Sequence, residues 1–218
     1  YIGLFGRNEG TIRNVSLSEV DVIGYTCVAG LIGVNDGGIV TNCSVTGSTY
    51  SYDSGENTRL GGLIGFVKGG EVSGCYSSAT VSAPNGDQIG GLIGAIGESG
   101  LDAEALITNC YATGTVTGTT NIGGLIGANY ISNEITNSYA TGDVSGTGYN
   151  VGGLIGWIDG SLIEDCYATG KVTGYNTNIG GLIGNNYSSN EIVNSYAIGV
   201  VDGTGPNVGG LVGSNSGT

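Results

Sequence analysis

The chain has 218 residues, 18 acidic against five basic side chains, a formal charge of −13, and neither histidine nor methionine. That charge would repel a phosphate backbone, so no nucleic-acid partner is expected. No run approaches the ~20 apolar residues of a membrane helix, and without histidine no Ser-His or Cys-His pair can form.

The first element is a loose copy of a recurring string, Ile2-Gly3-Leu4-Phe5-Gly6, followed by Ile12 and Asn14; the second, Ala29-Gly30-Leu31-Ile32-Gly33, is followed by Val40, Asn42 and Cys43. Gly-Gly-Leu-Ile-Gly then recurs at 61–65, 90–94, 123–127, 152–156 and 180–184, with Gly-Gly-Leu-Val-Gly at 209–213. The repeated leucines, 4, 31, 63, 92, 125, 154, 182 and 211, lie 27, 32, 29, 33, 29, 28 and 29 residues apart. A period near 29 filled by short strand-like pieces predicts an all-β fold, a parallel β-solenoid of about seven coils. The array is read as one domain over 1–218, divergent at 1–59 and regular at 60–218. Crossover chirality favours right-handed winding, and seven strand spacings give a rod ~34 Å long. The chain begins and ends inside a repeat unit, without an initiator methionine or a polar cap, and is read as a segment of something longer.

A second block follows each Gly-Leu pair: Asn109-Cys110-Tyr111-Ala112-Thr113-Gly114, with counterparts beginning at Asn137, Asp165 and Asn194. Period-two alternation from Cys110 to Thr117 predicts Cys110, Ala112 and Val116 inside and Tyr111, Thr113 and Thr117 outside. Ile122, Leu125 and Ile135 are also expected inside. In the Gly-Gly-Leu-Ile-Gly strand an aliphatic precedes the glycines (Leu60, Ile89, Ile122, Val151, Ile179, Val208), so strict alternation cannot bury three apolar rows. A glycine bulge turning Ile122 and Leu125 inward is expected, at the cost of an exposed Ile126-type row. Tyr130-Ile-Ser-Asn-Glu-Ile and Tyr187-Ser-Ser-Asn-Glu-Ile lie 57 residues apart, so two coils form the duplicated unit. Extra residues around Glu98 to Ala105 are expected to form a surface loop.

Cys43, Cys75, Cys110 and Cys166 share one position with Ser138 and Ser195, and Cys27 lies elsewhere. No Cys-x-x-Cys occurs, and stacked parallel strands hold Cβ atoms beyond the ~3.8 Å of a disulfide, so an inward free-thiol ladder is expected. Tyr76, Tyr111, Tyr139, Tyr167 and Tyr196 form an outward row, a candidate binding stripe for glycan or protein or simply a stabilising stack. Outward threonines would also suit ice, but tyrosines and the series Asp143, Lys171, Val200 interrupt that face. Asn14, Asn42, Asn109, Asn137 and Asn194, with Asp165 standing in, read as a structural corner. Asn14-Val-Ser16, Asn42-Cys-Ser44 and Asn186-Tyr-Ser188 match glycosylation acceptors, the first two lying on that corner. Glu164-Asp165 and Asp102/Glu104 are carboxylate pairs without a supporting shell, leaving an acid-based carbohydrase as a remote alternative. No metal or other cofactor is expected, and the chain is expected not to be an enzyme.

The Gly-Gly-Leu-Ile-Gly units with their Asn-Cys/Ser-Tyr-Ala-Thr-Gly blocks resemble the GLUG repeat, closely from about Leu60 onward and loosely over 1–59. The resemblance implies the setting of large bacterial and archaeal surface proteins, among them adhesins and the non-catalytic arms of immunoglobulin-A-cleaving metallopeptidases. The His-Glu-x-x-His motif of those peptidases has no counterpart here. The expected function is therefore an extracellular or cell-surface structural or adhesive module, a stalk or an end-to-end fibre subunit. The alternative is recognition of a glycan or a cell-surface protein along the tyrosine stripe.

Overall fold

The computed structural model describes residues 1–52, 55, 57–98, 103–188 and 190–216, and these form an all-β parallel solenoid of about seven turns. One coil runs through Thr120–Gly123, Ile126–Asn129, Glu134–Thr136, Tyr139–Ala140 and Val144–Gly146, and the next opens at Val151–Gly152. Equivalent strands pair in parallel one coil apart and build four sheets of 8, 12, 6 and 7 strands. The 8-stranded sheet takes the Ile-Gly-x-x strands and the 6-stranded sheet the strands before the glycine pair. The 12-stranded sheet takes the Tyr-Ala and Val-x-Gly strands, and the 7-stranded sheet those centred on Ile12, Val40, Val72, Ile107, Ile135, Ile163 and Ile192.

The glycine pair makes a corner. Leu125 and Ile126 both donate their backbone N–H to the carbonyl of Leu154, at 2.9 and 3.1 Å, and the same two-to-one pattern recurs at Leu63/Ile64, Leu92/Ile93, Leu154/Ile155 and Leu182/Ile183. This bulge breaks the alternation, so consecutive Leu and Ile side chains both point inward. The expectation of an exposed Ile126 row is thereby corrected: Ile32, Ile64, Ile93, Ile126, Ile155 and Ile183 are fully buried. Gly124 is required there because a Cβ would lie 2.2 Å from the carbonyl oxygen of Gly153.

The corner divides the interior in two. Leu125, Ile126, Ile135, Cys110 and Ala112 join one apolar cluster; Ile122 packs with Val116, Val144 and Val151 in a second. Cys110, Ala112, Val116, Ile122, Leu125 and Ile135 are all fully buried, while Thr113 and Thr117 are exposed and Tyr111 is half-buried, as the alternation predicts. The run from Cys110 to Thr117 is nevertheless two strands, Tyr111–Ala112 and Val116–Gly118, rather than one.

Left-handed backbone marks two further corners. The expected one holds Asn14, Asn42, Asn109, Asn137, Asp165 and Asn194, with φ between 49° and 56°. The other holds Asn121, Asn150, Asn178 and Asn207 at φ 52–62°, and here the side-chain amides link coil to coil. Asn207 Nδ2 donates to Asn178 Oδ1 (2.9 Å), Asn178 to Asn150 (2.8 Å), Asn150 to Asn121 (2.8 Å), and Asn121 to the Asp87 carboxylate (2.7 Å). The expected surface loop includes residues 99–102, which lie outside the described residues.

Candidate binding face

The five tyrosines of the proposed stripe stand in register on the outer side of the 12-stranded sheet. Their ring centroids are 4.7–5.1 Å apart and their planes within 5° of parallel. Parallel strands place identical residues one above another, so each ring covers the next. Interior rings thus offer edges and phenol hydroxyls to solvent, not faces. Tyr76, Tyr111, Tyr139 and Tyr167 are half-buried and Tyr196 is 49% exposed. Burial, then the neighbouring Tyr167 and Tyr111, pushes the Tyr139 phenol above its ordinary pKa. At the other end Tyr76 pairs with Ser44, which leaves one face of its ring uncovered by another aromatic.

A second aromatic row has no counterpart in the expectations. Tyr130, Trp157 and Tyr187 follow one another at centroid distances of 4.7 and 5.8 Å, tilted by 39° and 31°. Beside it the Arg59 guanidinium lies 4.0 Å from the Phe66 ring centroid and pairs with Glu98 at 2.6 Å. A shallow depression of about 430 Å³ there is lined by Asn57, Arg59, Asp87, Gln88, Tyr130 and Tyr149 among others. The readable signal was the Tyr130/Tyr187 duplication, with the chain's sole tryptophan one coil between them.

The cysteine position behaves as a small donor and acceptor. All five cysteines are free and buried. Each ladder residue gives its hydrogen to the carbonyl two residues earlier: Cys110 Sγ to Thr108 (3.3 Å), Ser138 Oγ to Thr136 (2.7 Å), Cys166 Sγ to Glu164 (3.2 Å). Ladder residues also accept a backbone N–H from the coil before, Ser138 Oγ from Cys110 at 3.1 Å and Cys75 Sγ from Cys43 at 3.3 Å. Thiol and hydroxyl both meet this double demand, which accounts for their exchange. Burial raises the Cys166 thiol pKa to about 11; Cys75 is pushed up by its hydrogen bond with Cys110 and by burial.

Among the described residues no three His, Cys, Asp or Glu side chains are grouped as a metal site would need. Glu164 and Asp165 adjoin an exposed turn, and of the other carboxylate pair Asp102 lies outside the described residues. Asn186, an acceptor in one of the three Asn-x-Ser triplets, is 3% exposed, whereas Asn14 and Asn42 are exposed. No helix among the described residues is long and apolar enough to cross a membrane.

Coils of 27–33 residues, cornered on Gly-Leu and walled by stacked equivalent residues, define a β-solenoid repeat protein. The GLUG motif model matches residues 24–50, 56–82, 85–117, 118–145 and 147–173, well over half of the chain, and the chain belongs to that family. It is 38% identical over 153 residues to a protein named Halomucin from Haloquadratum walsbyi (strain DSM 16790 / HBSQ001). That match covers 58% of this chain and 2% of the relative, so the chain spans a small fraction of the relative's length. No solved structure matches significantly.

Proposed function

We propose that the chain is an extracellular or cell-surface module whose role is structural and adhesive: a rod that holds other parts of a surface protein away from their anchor. The observation that carries this reading is the unbroken coil-to-coil pairing, in which each of the four sheets continues through the array as a stiff element. Family membership and the resemblance to the far longer relative named Halomucin support the location. Apolar residues exposed at the first and last coils, Leu4, Phe5, Val208 and Leu211, suit continued stacking onto further coils of a longer chain or another copy. The chain works without a cofactor and catalyses no reaction in this reading. Electron microscopy of the purified chain should show short straight rods, and a concentration series in light scattering should report end-to-end growth. Compact or flexible particles would overturn the reading.

A second reading is supported by the half-exposed tyrosine ladder: recognition of a glycan or a cell-surface protein through a line of phenol hydroxyls. Binding on a glycan or surface-protein array that is lost in Tyr111→Ala would favour it. No response on either array would leave the rod alone.

A further inference from the structure

The three Asn-x-Ser triplets differ in what the fold makes of them. Asn186 is buried, donates from Nδ2 to Asn215 Oδ1 at 2.6 Å and accepts at Oδ1 from Asn190. A sugar on that nitrogen has no space in the folded chain. Asn14 and Asn42 sit at exposed left-handed turns, φ 56° and 52°, and among the described residues neither side-chain amide has a hydrogen-bond partner. The register Arg13↔Thr41 places them on adjacent coils, about 4.8 Å apart.

On the far side of Asn42 that ladder position is Gly74, which has no side chain; a Cβ there would fall 2.5 Å from Asn42 Oδ1. The Asn42 carboxamide thus leans over Gly74, and two residues further on the Tyr76 ring is stacked on Tyr111 on one side and pairs in register with Ser44 on the other. Ser44 is also the third residue of the triplet. In the coils of Asn109, Asn137 and Asn194 that third residue is Tyr111, Tyr139 or Tyr196 instead, so the triplet occurs where the tyrosine ladder stops.

We propose that Asn42, whose carboxamide lies over Gly74, is an N-glycosylation site and that its first sugar packs on the face of Tyr76 that no aromatic ring covers. This rests on the extracellular reading, since the modification needs a secretory-side transferase and a lipid-pyrophosphate-linked glycan. In the transfer Asn42 Nδ2 bonds to C1 of the sugar, the C1–O bond to pyrophosphate breaks, and lipid pyrophosphate leaves while one amide proton passes to the enzyme's base. The C–H face of a pyranose is apolar and matches the face of an aromatic ring. Asn14, one strand spacing away, stays unmodified once Asn42 carries its glycan.

The test is to secrete the 218-residue chain from yeast and map its glycopeptides by mass spectrometry, beside Asn42→Gln and Asn186→Gln variants. The expected result is glycan on the Asn42 peptide, absent in Asn42→Gln and unchanged in Asn186→Gln. Enzymatic removal of the glycan should lower Tm by a few degrees in the parent and leave Tm unmoved in Tyr76→Ser, which keeps the residue type of the preceding coil. Folded, secreted protein with Asn42 bare, or with glycan on Asn186, overturns the proposal and leaves the extracellular reading standing. Protein that folds only inside the cell overturns both.

Discussion

At the scale of single residues the fold is held by positions where one atom too many, or one hydrogen bond too few, is felt. Gly124 faces the Gly153 carbonyl and the Ala140 methyl, with a would-be Cβ at 2.2 and 2.8 Å. Gly124→Val should therefore cost about 3 kcal/mol or more, whereas Thr117→Val, on an exposed strand position, should stay within about 0.5 kcal/mol. Thermal unfolding of the two variants checks this, and equal Tm values would refute the corner. Ser138 accepts the buried N–H of Cys110 and donates to Thr136. Ser138→Cys should be nearly neutral, while Ser138→Val should cost about 1–3 kcal/mol by leaving that N–H unpaired; denaturant unfolding separates them. The inward and outward residues of the Tyr-Ala strand were legible because alternation around Cys110, Ala112 and Tyr111 leaves one buried set. The Ile126 row was not, because the bulge that buries it comes from two N–H groups sharing the Leu154 carbonyl, a backbone event that side-chain pattern does not record.

At the scale of elements, stacking identical residues benefits apolar and amide rows and penalises charged ones. On the 7-stranded sheet the outward series is Glu71, Leu106, Glu134, Leu162, Glu191, so like charges are separated by a leucine. Two strand spacings, ~9.6 Å, bring the glutamates close to the Debye length at 0.1 M salt. Leu162→Glu should close that gap and destabilise by about 0.5–1 kcal/mol, with added salt recovering the loss; a salt-independent Tm difference would count against repulsion as the cause. The thiol ladder makes a pH prediction. Cys166 is raised to about 11 in the folded chain by burial, above the ~8.5 of a free thiol, so the folded state holds its proton more tightly. That contribution is fully present below the unfolded pKa, is lost as pH rises through the window up to the folded value, and is flat beyond. Unfolding measured from pH 8 to 11 should show stability falling, less steeply in Cys166→Ser. The Asn121 ladder was hidden for a related reason: Asn121, Asn150, Asn178 and Asn207 each precede the aliphatic before a glycine pair, but Arg59 and Gln88 hold the same place in earlier coils. Mixed chemistry at one position masked its common left-handed backbone.

For the whole molecule the unit is two coils. The Glu/Leu alternation, the Tyr130 and Tyr187 ends of the second aromatic row, and the corner in which Asn133 Nδ2 donates to Asn129 Oδ1, copied by Asn190 and Asn186, all repeat with the 57-residue duplication. Deleting residues 130–186 should therefore give a shorter folded rod with native-like circular dichroism, because Asn129 then meets Tyr187 in an unchanged sequence context. Removing 130–158 instead joins unlike coils and should lower Tm more, although it takes away fewer residues. Equal Tm losses would show that single coils are interchangeable.

The Asn207-to-Asp87 amide line has an orientation, since every Nδ2 points toward lower residue numbers and the last donor meets a carboxylate. Aligned amides add their dipoles as peptide groups do along a helix, with the donor end positive. The amide line thus gives the solenoid an electrical sense of direction. Asp87 neutralises the positive pole as an acidic residue does at the start of a helix, and the Asn207 oxygen marks the opposite pole.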